Sequence, residues 1–177
     1  INVSNLITKE NIKIKAEDIN FSKLYYIKNG GNKVTLENNE ITFDEEGEYI
    51  VWAEDVVKNI SETKKVVIKR TGPLIEKYKK YINKTETIYF KDKYLEKIYL
   101  INQNGETTVS LENSIKVPDD KEGKYIVFAI DKAGNKSLEH EIIVDKTAPI
   151  VRDYKKYINK DEEIIFNDLY MSKITVT

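Results

Sequence analysis

Residues Glu122 to Ile150 read EGKYIVFAIDKAGNKSLEHEIIVDKTAPI. Within them Tyr125, Val127, Ala129 and Asp131 alternate with Ile126, Phe128 and Ile130, and a strand puts each set on its own face. Enrichment in β-branched and aromatic residues favours the strand further. The run then breaks at Asp131-Lys-Ala-Gly134-Asn135. Gly134 supplies a left-handed residue there, while Asp131 and Asn135 carry the side chains that bond turn amides. A second strand follows at Ile142 to Val144. Thr147-Ala148-Pro149 closes the stretch, because proline holds itself and its predecessor extended.

The same text occurs upstream. An ungapped shift that lays Glu46 on Glu122 leaves close to half of the positions from Glu46 to Ile101 identical. EGEYIVWAED answers EGKYIVFAID, Asp55 answers Asp131, Asn59 answers Asn135, and YKKYINK recurs whole. Lys58 replaces Gly134, so the geometry of the first turn is open. Self-similarity of this kind marks an array of units. The units fall at 1–72, 73–148 and 149–177, the last one cut short. Each unit starts with strands alternating at Ile12/Ile14, Ile88/Phe90 and Ile164/Phe166, then at Leu24/Tyr26, Ile98/Leu100 and Ile174/Val176. Asn29-Gly30-Gly31 and Asn104-Gly105 read as hairpin turns. In the third unit only two strands are available, which predicts a marginal hairpin with its apolar face unpaired.

The stretch from Glu122 to Ile150 resembles the end of a bacterial immunoglobulin-like repeat, in which a Tyr-x-Val-x-Ala-x-Asp strand passes through Ala-Gly-Asn into the last strand and a Thr-Ala-Pro linker. The resemblance implies an all-β chain of tandem immunoglobulin-like or fibronectin III-like β-sandwiches, about seven strands each. It also implies that Tyr49 and Tyr125 act as tyrosine corners. Such repeats belong to secreted or cell-surface proteins, cell-wall and S-layer proteins among them, and they space or present other domains.

Composition narrows the function. A net charge of -1 over 177 residues gives no argument for nucleic acid. No apolar run is long enough for membrane insertion as a helix. Cysteine is absent, so disulfides and thiolate sites are excluded. Catalytic motifs are missing, and the single histidine, His140, reads as a solvated strand residue. No cofactor is expected.

Candidate sites are few. Asp131, Gly134 and Asn135, with Asp55 and Asn59, read as structural turn residues. A calcium site built from Asp131, Asn135 and Asp145 is disfavoured because Lys69 stands where Asp145 does in the preceding copy. The repeated Tyr78/Tyr81 and Tyr154/Tyr157 read as packing of a linker against neighbouring sandwiches, with sugar stacking as the functional option. Trp52 and Phe128 lie on the outward face of the long strand, where apolar residues need a cover or a partner. The expectation is a non-catalytic spacer or stalk with a possible adhesion surface. Its partners are the neighbouring repeats and a host or cell-wall glycan or protein. The alternative is a carbohydrate-binding or accessory module of a secreted glycan-degrading enzyme.

Overall fold

The computed structural model describes every residue except Val3, Asn5, Asp153, Val176 and Thr177. The described residues form strands and no helix. In the first half these are β1 (Leu6–Thr8), β2 (Ile12–Lys15), β3 (Phe21–Lys28), β4 (Lys33–Leu36), β5 (Glu40–Phe43), β6 (Gly47–Asp55) and β7 (Lys64–Ile68). One sheet has the order β1-β7-β6-β3-β4, and β2 pairs with β5 opposite it.

The second set comprises β8 (Leu74–Ile75), β9 (Tyr81–Ile82), β10 (Glu86–Lys91), β11 (Leu95–Asn102), β12 (Thr107–Ser110), β13 (Ser114–Val117), β14 (Gly123–Asp131) and β15 (His140–Val144). Its sheets run β12-β11-β14-β15-β9 and β13-β10-β8. In both sets the first strand of the larger sheet lies parallel to the last, β1 on β7 and β9 on β15. The other pairings are antiparallel. These are two immunoglobulin-like β-sandwiches in succession.

Alternation along β6 and β14 decides what is inside. Tyr49 and Val51 in one, and Tyr125, Val127, Ala129 and Asp131 in the other, are buried. The cores complete themselves around these strands: Ile14, Leu24, Val66 and Ile68 in the first, and Ile88, Phe90, Ile98 and Ile142 in the second. Where the first core stacks Phe43 on Tyr49 at 4.1 Å, the second has Val117 at the place of Phe43. The Tyr49 hydroxyl donates to the Glu45 carbonyl at 2.8 Å, and the Tyr125 hydroxyl to the Lys121 carbonyl at 3.1 Å. These are the tyrosine corners that the resemblance implied.

Two expectations need correction. The alternating runs at Ile12 and Ile88 are not the first strands, since β1, β8 and β9 precede them. Edge strands of two or three residues are too short to show a period. For the same reason YKKYINK in the second copy is no linker: Tyr81–Ile82 is an edge strand of the sandwich itself, and Ile82 is in its core.

The third segment pairs β16 (Ile150–Arg152) with β17 (Ile165–Asn167), in the manner of β8 with β10. Ile174 is exposed and outside any strand, and Val176, expected beside it, lies outside the described residues. The strand that would have held Ile174 needs a β6-like neighbour, which this segment does not contain.

Candidate functional site

The two aspartate turns are built alike. Asp131 accepts on Oδ1 from the amides of Ala133 and Asn135, both at 2.9 Å, and on Oδ2 from the Asn135 side chain at 3.0 Å. Asp55 accepts from Val57 at 2.9 Å, Asn59 at 2.8 Å and the Asn59 side chain at 2.7 Å. Gly134 has φ 79°, and Lys58 takes φ 73° in its place. The lysine therefore reproduces the turn by accepting a backbone that favours glycine. Beyond each turn a serine hydroxyl receives the amide of the strand alanine, Ser61 from Ala53 at 3.0 Å and Ser137 from Ala129 at 2.9 Å.

The turn at Asp131 lies where the first sandwich meets the second. Lys69, the residue after β7, places its Nζ 2.9 Å from Asp92 Oδ2 and 3.4 Å from Asp131 Oδ2. The lysine side chain is 17% exposed, the two carboxylates 4% and 0%. Burial by itself would lower the lysine pKa, but the bonds and charges of Asp92 and Asp131 outweigh it and raise it above its ordinary value. The Lys69 carbonyl accepts the Asn135 side-chain amide at 2.8 Å. A side chain on Gly72 would run into the Lys136 carbonyl, so glycine lets the linker lie against the turn.

A second set of contacts flanks the first. Lys93, in the loop after β10, bonds Glu48 on β6, and Lys65 pairs with the other Glu48 oxygen at 2.9 Å. The hydrogen bond from Lys93, with the nearby Tyr94 hydroxyl and Lys65, holds the Glu48 carboxyl at about 2. Burial, followed by the nearby Glu48 carboxylate, raises the Tyr94 hydroxyl above its ordinary value; among the described residues it is buried without a partner in hydrogen-bonding geometry.

The linker is also fixed at its origin. Glu46 accepts the amides of Arg70 and Thr71 and the Thr71 hydroxyl. Glu122 repeats this clamp with Lys146 and Thr147. The Arg70 guanidinium donates to the Lys9 carbonyl at 3.0 Å, the Asp44 carbonyl at 2.7 Å and Asn11 Oδ1 at 2.7 Å. Between Ile68 and Leu74, then, residues 69–72 are bonded to or packed against one sandwich or the other.

The other sequence candidates are dispersed. Trp52 stacks on Tyr25 at 5.4 Å, and Phe128 stacks on Tyr99 at 5.0 Å, at matching places on the outer sheet faces. Lys33 lies over Tyr25 at 4.8 Å and Lys136 over Phe128 at 3.9 Å. Side chains of the same sandwich thus form much of the cover that this apolar face needed. Tyr78 packs on its own core and meets His140 edge-on at 4.8 Å. Tyr81 tilts against Tyr170 at 5.6 Å, while Tyr154 and Tyr157 are exposed.

Asp145 follows β15, opposite the start of β14, whereas Asp131 ends β14. About 26 Å of strand, at about 3.3 Å per residue, separates them, so the calcium grouping of Asp131, Asn135 and Asp145 is not assembled. Among the described residues no group of three or more His, Cys, Asp or Glu is placed to hold a metal ion.

Reasoning from sequence did not single out Lys69, Asp92, Lys93, Tyr94 or the Glu46 clamp. A signal existed for some of them: Asp92 and Tyr94 recur as Asp168 and Tyr170, and Glu46 and Thr71 recur as Glu122 and Thr147.

The strand order defines an immunoglobulin-like, fibronectin III-like β-sandwich fold. No protein-family model matches the chain, and no curated protein matches it in sequence. Among solved structures the chain is similar to the CD2-binding domain of CD58, with 11% identity and a TM-score of 0.42, over 80% of this chain and 96% of that one. It is also similar to the fibronectin(III)-like modules of Clostridium thermocellum CbhA, with 12% identity and a TM-score of 0.32, over 80% and 87%. A third is the Bacteroides ovatus SGBP-B of a mixed-linkage glucan utilization locus, with 14% identity and a TM-score of 0.30, over 84% and 45%. At such values these similarities add nothing to what the strand order establishes.

Proposed function

We propose that this chain is a non-catalytic spacer of a secreted or surface-attached bacterial protein, a stalk whose successive sandwiches are held at a fixed angle. One observation carries the reading: Lys69 links the end of one sandwich to Asp92 and Asp131 of the next, inside a linker bonded along its length. A linker free to swing would leave such groups in water. Attachment to the cell wall or S-layer, with neighbouring repeats as partners, belongs to the same proposal.

Backbone 15N relaxation on the intact chain tests it. The two sandwiches are expected to tumble with one correlation time, and to separate when a Gly-Ser stretch is inserted after Gly72. Independent tumbling of the native sandwiches would overturn the spacer reading.

A second reading has one observation in its favour. Both sandwiches carry a stacked aromatic pair at the same place on the outer face, Tyr25/Trp52 and Tyr99/Phe128. Such a surface suits adhesion to a glycan or protein, as in a carbohydrate-binding or accessory module of a secreted glycan-degrading enzyme. Trp52 is the only tryptophan, so its fluorescence under titration with soluble cell-wall glycans reports binding directly. An unchanged spectrum across the series would remove the glycan reading.

A further inference from the structure

The two sandwiches differ at one pole. Ala129 and Asp131 are 0% exposed and Ser137 is 9%, whereas their counterparts Ala53, Asp55 and Ser61 are half-buried. Asn135 is half-buried and Asn59 is exposed. Ala53 is less buried than Ala129 for a reason that the second sandwich supplies. Its pole is covered by the preceding linker, through Lys69, Gly72 and the buried Pro73. The pole of the first sandwich is an open cleft of about 210 Å³, lined by Ile1, Ala16, Asp18, Asp55, Asn59 and Ser61 among others.

The chemistry of the two poles is the same. Asp18 opens the loop after β2 by accepting the Asn20 amide at 2.7 Å, as Asp92 does with the Tyr94 amide at 2.7 Å. Asp55 keeps the three turn bonds that Asp131 keeps. The difference is the cation. Lys69 sits between Asp92 and Asp131, and among the described residues no lysine or arginine forms an ion pair with Asp18 or Asp55. The main-chain path is also matched: Asn2 bonds Lys15 at 3.1 Å, alongside β2, as β8 runs alongside β10.

We infer that the Asp18/Asp55 pole of the first sandwich is a docking socket for an extended, lysine-bearing linker of the Lys-Arg-Thr-Gly type, delivered by a further module of this kind. The lysine ammonium enters between Asp18 and Asp55. The linker carbonyl at the lysine accepts the Asn59 amide, and a small residue lies against the turn at Lys58 to Ile60. This specifies a polarity: a module is received at the aspartate pole and offers its own linker from the opposite end.

The inference rests on the spacer reading, and a single extended chain separates the two. Residues 1–74 are duplicated directly ahead of Ile1 of the full chain, so that Lys-Arg-Thr-Gly-Pro-Leu of the added copy leads into Ile1 in the register in which residues 69–74 lead into Ile75. Amide hydrogen exchange is read at Ala53 to Ser61 and at Ala129 to Ser137. Exchange at Ala53, Val57 and Asn59 is expected to slow at least tenfold relative to the unextended chain, and to return to its former rate when the added lysine becomes methionine. Unchanged exchange there, with Ala129 to Ser137 protected, would overturn the socket and leave the spacer standing. Fast exchange at both poles would overturn both.

Discussion

Replacing Lys69 with methionine keeps the length of the side chain and removes its charge. The ammonium contacts two carboxylates, at 2.9 and 3.4 Å, in a site where all three groups are largely out of water. At an effective dielectric of about 20, each contact is worth roughly 5 kcal/mol of Coulomb attraction. Desolvating the three charges costs several kcal/mol and offsets much of it. Asp131 retains three hydrogen-bond donors without the lysine, and Asp92 retains the Tyr94 amide. Both carboxylates therefore stay partly satisfied, and the net loss is expected at about 2–3 kcal/mol, below that of an orphaned buried charge.

The loss falls on the second sandwich and on its coupling to the first. Trp52 fluorescence follows the first sandwich alone, because no other tryptophan exists, and far-ultraviolet circular dichroism follows both. In urea the native chain is expected to give coincident transitions. Lys69→Met is expected to split them, with the dichroism midpoint falling by about 2 M if m is about 1 kcal/mol/M. Coincident transitions at an unchanged midpoint would refute the argument that this lysine joins the sandwiches.

Glu48 sets a pH dependence. Its carboxyl is held at about 2, mainly by Lys93, so its contribution is complete above about 4.5 and is lost as pH falls towards 2. Lys93 is 66% exposed, which limits the effect to about 1 kcal/mol; Glu48→Gln should cost that at pH 7 and only a small part of it at pH 2, where the carboxyl is half protonated, by urea titration. The paired turns predict opposite responses: Lys58→Gly should raise the thermal midpoint by relieving a left-handed lysine, and Gly134→Ala should cost roughly 1–2 kcal/mol, both read by calorimetry. Val127 is fully buried between the sheets, and Val127→Ala is expected to cost about 2 kcal/mol by denaturation, an unchanged midpoint counting against its place in the core. Millimolar calcium is expected to leave the melting temperature unchanged, since the acids that were candidates for it are not brought together; a clear rise abolished by Asp131→Ala would contradict that.

From the sequence alone came the all-β class, the repetition and the long strands, and the reason is local. Strand alternation and turn chemistry are written within a few residues, so Tyr125, Val127 and Gly134 declare their places without reference to the rest of the chain. The ungapped identity between copies then transfers those places to Tyr49, Val51 and Lys58. Short edge strands left no such trace. Tyr81–Ile82 forms a strand only because β15 offers an unpaired edge, and that offer is tertiary.

The junction was illegible for a related reason. Lys69 lies 23 residues before Asp92 and 62 before Asp131, and nothing local distinguishes it from the other lysines of a lysine-rich chain. Its replacement by Asp145 in the next copy made it look like an argument against a metal site. Only the packing of two sandwiches end to end brought the ammonium between two carboxylates. The same packing set the difference between Ala53 and Ala129, identical residues on equivalent strands. Sequence determines which face of a strand a side chain takes, but what lies beyond the end of that strand depends on the neighbouring module.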